Sequence, residues 1–69
     1  MSEQWATYAD AAAMLHVPAA TIRVWVHRGR LGQGRYIETA RIRGLVHVAL
    51  PDVRRAERDS RLRRAAKTS

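Results

Sequence analysis

Cysteine is absent from this 69-residue sequence. That excludes a disulfide framework and any cysteine-based zinc site. Long apolar runs are missing too: no stretch approaches the roughly 20 apolar residues of a membrane-spanning helix. The opening Met1-Ser2-Glu3-Gln4 carries no base and leads into no apolar run, so no secretory signal is expected and the cytoplasm is the expected compartment. Lysine occurs once, at Lys67, and the other twelve of the thirteen basic residues are arginine. No base precedes Arg23. Residues 1–22 hold only the acids Glu3 and Asp10, whereas residues 23–69 hold all thirteen bases against four acids, a net of +9.

That segregation implies one part of the chain for packing and another for a polyanion. Arginine suits planar, bidentate recognition of phosphate or guanine. Codon composition alone would also favour arginine over lysine, but it would not segregate the charge. The length implies a single domain over 1–69, and a chain this short buries only about 60% of its unfolded surface. Without disulfide or metal, such a domain gains from tight helical packing, a partner chain or a nucleic-acid ligand.

Thr7-Tyr8-Ala9-Asp10 has the form of a helix start, with Thr7 as N-cap and Asp10 three residues on. The alanines and leucine that follow are mostly strong helix formers, which predicts a helix over about 8–15. Val17-Pro18 breaks it, since the residue before proline avoids the helical region. A second helix is expected over about 18–28, with Gly29 as its stop. Ile22, Trp25 and Val26 share its apolar face, while Ala20, Arg23, Val24 and His27 point the other way. Two short helices joined by a tight turn make a helix-turn-helix pattern.

Gly32-Gln33-Gly34 is a loop signal. Arg35–Thr39 and Leu45–Leu50 have strand character, and Ala40–Gly44 between them reads as a basic hairpin tip. This predicts a wing over about 35–50. Pro51-Asp52-Val53 opens a last helix over about 51–64. The basic stretch from Arg61 to Lys67 is expected to fray or project. The fold class expected is mainly α with a small β-hairpin, a winged helix-turn-helix.

Residues 7–31 (TYADAAAMLHVPAATIRVWVHRGRL) resemble the MerR-like winged helix-turn-helix family. This family includes small phage and plasmid excisionases and short actinobacterial regulators. Its pattern is met by Asp10-Ala11-Ala12, Leu15-His16-Val17, Thr21-Ile22, Trp25 and Arg28-Gly29-Arg30-Leu31. The hairpin followed by Pro51-Asp52-Val53 fits the family's wing and final helix. Two positions depart from the pattern. His16 stands where glycine is usual, and requires a left-handed or otherwise unusual backbone. Pro18-Ala19-Ala20 replaces a serine and a polar residue, leaving apolar contact such as that with a thymine methyl.

The resemblance implies a double-stranded DNA-binding protein, an excisionase (recombination directionality factor) or a small nucleoid-associated transcription regulator. The second helix would enter the major groove and the wing the adjacent groove. The candidate DNA-binding residues are Thr7, Ala19, Ala20, Arg23, His27, Arg28, Arg30, Arg35, Arg41, Arg43, Arg54 and Arg58. Thr7 is also explained by capping alone, and the arginines of the last helix by a solvated face. Trp25 is expected in the core and Trp5 as a cover over it. Neighbouring protomers on tandem sites and an integrase are candidate partners. The alternative is an adaptor module of phage or plasmid type, docking on a recombinase or packaging protein. Structured RNA is disfavoured by the scarcity of aromatics for stacking on bases.

No enzyme, metal or cofactor is expected. His16, His27 and His47 are scattered, without a cluster at ligand spacing. Ser2, Ser60 and Ser69 lie near the ends or in a basic helix, with no nucleophile–base arrangement. Gly32-Gln33-Gly34 lacks a following Gly-Lys-Ser/Thr element and follows a helix.

Overall fold

The computed structural model describes residues 4–68, and the side chains of all of these but residues 67 and 68. Glu3 and the Lys67 side chain, counted in the charge balance above, lie outside that description. The elements run β1 (Trp5–Thr7), α1 (Tyr8–Leu15), α2 (Ala19–Arg30), β2 (Thr39–Ile42), β3 (Leu45–Ala49) and α3 (Leu50–Thr68). The structure thus combines three helices with a three-stranded antiparallel sheet of order β1-β3-β2.

The first helix starts as its sequence requires. The Thr7 hydroxyl accepts a hydrogen bond from the Asp10 backbone N–H at 3.2 Å, satisfying one of the amides a helix start leaves open. It ends on His16, whose φ of 57° is left-handed. Both the His16 and Val17 amides turn back to the Ala12 carbonyl. Pro18 is extended and precedes α2 rather than occupying its first turn.

The second helix is longer than its pattern suggested. It runs through Gly29 to Arg30, because the stop is Gly32 and not Gly29. Gly32 has φ 72°; its N–H bonds to the Gly29 carbonyl and the Gln33 N–H to the Arg28 carbonyl at 2.8 Å. Those two bonds form a Schellman ending. Gly29 is buried inside the helix for a different reason: the Arg35–Tyr36 backbone lies against it.

The wing expectation needs two corrections. Residues 35–38 are not strand. They are an irregular segment held at its end, where Ile37 is fully buried. There the Glu38 N–H donates to Asp52 Oδ2 at 3.0 Å and the Glu38 carbonyl accepts from Ala49 N–H at 3.0 Å. The strand therefore begins at Thr39, and the hairpin closes in two residues, Arg43 (φ 53°) and Gly44 (φ 80°), with Ile42 opposite Leu45. Positive φ at both central positions is the type I′ turn, whose twist matches that of the flanking strands. The tip is shorter than the five residues expected because Ala40–Ile42 pairs with Leu45–His47.

The third strand, β1, has no counterpart in the sequence reading. Three residues are too few to show a period of two, and they are held by β3, forty or more positions away, in the register Trp5–Ala49, Ala6–Val48 and Thr7–His47. The last helix takes over Leu50 from the expected strand and continues as helix through Thr68. It stays helical past residue 64 with residues 61–66 exposed, so this basic stretch projects.

One core joins these elements. Ile22 and Val26 from α2, Val48 from β3, Val53 from α3 and Ala11 from α1 are buried around Ile37. Complete burial of a side chain such as Ile22 contributes about 1.5–3 kcal/mol. Trp25 is only half-buried, packed against this core from outside. Trp5, in β1, is also half-buried. No helix among the described residues is long and apolar enough to cross a membrane.

Candidate functional site

The second helix is amphipathic in position as well as composition. At about 100° per residue, Ala20, Arg23, His27 and Arg30 fall within an arc of about 80°, centred about 110° round the helix from Ile22, Val26 and Gly29. All four are exposed and the latter three buried. The helix contains no acidic residue, so this arc is wholly neutral or basic. Ala19 is half-buried at its edge, and Val24 is exposed beside it.

Two contacts tie the arc to its neighbours. The Arg23 guanidinium lies over the Tyr8 ring, 5.4 Å from its centroid. A cation at that distance is held by the ring's quadrupole, which orients Arg23 at the start of α1. At the other end Arg30 Nη2 donates to Thr39 Oγ1 at 3.4 Å, linking α2 to the first residue of β2. The start of α1, the exposed arc of α2 and the hairpin therefore border one another. Thr7 belongs to this border through its cap on α1.

The hairpin end carries Arg41 and Arg43, both exposed, on either side of Ile42. Arg41 is opposite Val46 across the strands. Neither arginine takes part in the ion pairs Arg35–Asp59, Arg55–Asp52 and Arg61–Glu57.

Other candidates lie elsewhere. Arg28 is on the flank of α2 next to Trp25, away from the arc. Arg35 is bound to α3, its Nε donating to Asp59 Oδ2 at 2.7 Å. Asp59 is held below the ordinary carboxylate range first by this hydrogen bond and also by the charges of Arg35, Arg63 and Arg58. The same bond raises Arg35 further. Arg54 and Arg58 are exposed one turn apart on α3.

The sequence reading missed three things here. Tyr8 was considered only with the helix cap, and nothing in its neighbours signals that Arg23, fifteen positions on, stacks above it. Asp52 was read as a helix-start charge, and its bond to the Glu38 amide is a long-range contact. A cleft between α2 and α3, lined by Trp25, Arg28, Asp59 and Arg63 among others, needs both helices in place before it exists. No group of three or more His, Asp or Glu side chains among the described residues is placed to hold a metal ion.

No family model, curated protein or solved structure matches this chain. The functional argument therefore rests on the residues and their geometry. Chemically, the site offers cations at fixed positions, a small apolar patch at Ala20 and an aromatic hydroxyl at Tyr8. It has no nucleophile–base pair among them. The chemistry of such a surface is suited to anions.

Proposed function

We propose that the chain is a winged helix-turn-helix protein that binds double-stranded DNA, with α2 in the major groove and the β2–β3 hairpin as the wing in the adjacent groove. One observation carries the reading. The exposed arc of α2 bears Arg23, His27 and Arg30 with no carboxylate, and it borders both the start of α1 and the hairpin. A duplex meets a protein in this way, through one element in a groove and flanking elements on the phosphates.

The roles divide by chemistry. Arg23 and His27 are in position for base edges, and Ala20 for a thymine methyl. Arg30 and the Tyr8 hydroxyl serve the phosphates beside the groove. Arg41 and Arg43 follow the backbone or enter the minor groove. Ala19, Arg28, Arg54 and Arg58 are peripheral contributors, and Arg35 contributes only what its pairing with Asp59 leaves. With few polar readers on α2, affinity from phosphates outweighs base readout. The biological task is that of an excisionase or a small transcription regulator, with protomers aligned on tandem sites. Binding, not catalysis, is the activity.

Fluorescence anisotropy against a labelled duplex over a range of salt tests the reading. Each phosphate neutralised contributes about 0.9 to the slope of log K against log [salt]. A steep slope is expected, reduced by about one unit in Arg41→Gln and in Arg43→Gln. A flat dependence, or undetectable binding to mixed-sequence and tandem-repeat duplexes alike, overturns it and returns the question to a protein-docking adaptor. Tighter binding per site on tandem repeats supports the aligned protomers.

A further inference from the structure

The cleft between α2 and α3 lies off the exposed arc of α2 and shares with the surface just described only its peripheral residues Arg28 and Arg35. Its volume is about 250 Å³. Trp25 and Ala56 supply apolar lining, Arg28 stands on the α2 side, and Arg63 and Ser60 stand on the α3 side. Four arginines line it against one carboxylate, Asp59. That carboxylate is already engaged by Arg35 at 2.7 Å, so the cleft is electropositive in net terms.

Its wall is built rather than incidental. The loop after α2 is held by the Gln33 N–H on the Arg28 carbonyl at 2.8 Å. It is held again by the close approach of the Arg35 backbone to Gly29, and at its far end by the Arg35–Asp59 ion pair. Three attachments in four residues keep Gln33 and Gly34 against the cleft. Arg28, by contrast, has no side-chain hydrogen bond or ion pair among the described residues, and its donors remain available.

We propose that this cleft binds a small aromatic anion, with its ring on the half-buried face of Trp25 and its carboxylate or phosphate between Arg28 and Arg63. Size supports this ligand class. A cavity of about 150 Å³ accommodates benzene, so the present cleft holds one ring and a charged group but not a dinucleotide. Chemistry supports it as well. A half-exposed indole offers stacking, and guanidinium groups bind planar or phosphate oxyanions in bidentate fashion. The site is distinct from the arc of α2, from which Arg28 is turned away, and the proposal stands whether or not the chain binds DNA.

Two-dimensional NMR of the wild-type chain, titrated with phenyl phosphate, tests it. Saturable shifts are expected at the Trp25 indole N–H and at the Arg28 and Arg63 Nε–H, with the hairpin residues unmoved. Phenol and inorganic phosphate, each half of the probe, should bind about tenfold more weakly or worse. Arg63→Gln, at an exposed position late in α3, should weaken phenyl phosphate about fivefold or more, while its spectrum verifies the fold. Three results overturn the proposal: no saturable change up to about 10 mM, inorganic phosphate binding as well as phenyl phosphate, or an Arg63→Gln variant that binds normally. A short duplex that displaces phenyl phosphate while shifting Trp25 and Arg63 also overturns it, by assigning the cleft to DNA phosphate.

Discussion

The α-carbon of Gly29 faces the backbone carbonyl of Arg35 so closely that a Cβ on it would sit 2.7 Å from that oxygen and 3.0 Å from the Tyr36 Cα. Both neighbours are backbone and cannot swing aside. The contact sets the distance between α2 and the loop that leads to the sheet, and with it the wall of the α2–α3 cleft.

Gly29→Ala therefore pits two effects against each other. Alanine gains about 1 kcal/mol of helix propensity over glycine. Forcing a methyl into a filled space costs about 1–3 kcal/mol, and here the obstacle is main chain, which puts the cost at the upper end. We expect a net loss of about 1–2 kcal/mol, read as a fall in Tm of roughly 4–8 °C per kcal/mol for a domain this size. An unchanged or raised Tm would show that the loop moves away at no cost.

His16 and Gly32 hold the same place in two helix endings, each with positive φ. Glycine meets that requirement freely, whereas a residue with a Cβ is strained by about 1 kcal/mol or a little more. His16→Gly is expected to raise Tm by a few degrees. His16→Ala, which keeps the Cβ, should not. The pair of thermal melts separates backbone strain from any loss of the imidazole.

At the hairpin end, Arg43 and Gly44 both need positive φ. Asparagine tolerates that conformation better than arginine. Arg43→Asn should therefore hold or raise thermal stability. In the DNA-binding reading it should also lower the salt slope by about one phosphate's worth, roughly 0.9. Stability and binding moving in opposite directions is the result that ties Arg43 to function. Gly44→Ala lacks that split, since strain at φ 80° lowers stability without removing a charge.

The Arg35–Asp59 pair makes a prediction in pH. Asp59 is depressed by the Arg35 hydrogen bond, so the stabilisation it brings is fully present above the ordinary aspartate value of about 3.9. It is lost as pH falls through the lower value of the folded state. Asp59→Asn should melt below wild type at neutral pH, and the gap should close in acid. Both groups are substantially exposed, with side-chain exposures of 45% and 35%, so added salt should shrink the gap as well. A gap independent of pH would mean that the carboxylate charge plays no part.

Local signals were legible in the sequence because their physics is local. Thr7 and Asp10 lie within one helical turn, so the cap could be read directly, and α1 begins and ends where its residues imply. The left-handed backbone at His16 was implied by the resemblance, in which glycine is usual at that position. The apolar and basic sides of α2 follow from spacing alone. The stop of α2 was not legible, because two glycines, at 29 and 32, both suit a helix ending and only the loop packed against the first distinguishes them.

The sequence by itself thus determined the helices, the turn between them, the basic hairpin and the segregation of charge, all set by neighbours within a few residues. Only the tertiary structure decided where α2 stops, that Trp5–Thr7 is a strand, and that Arg23 stacks on Tyr8 while Arg35 is bound to Asp59. The strand and the two side-chain contacts join residues fifteen to more than forty positions apart, and the stop of α2 turns on the Arg35 loop packed against Gly29. They depend on how the helices and sheet pack around Ile22, Ile37 and Val48, which no local pattern encodes.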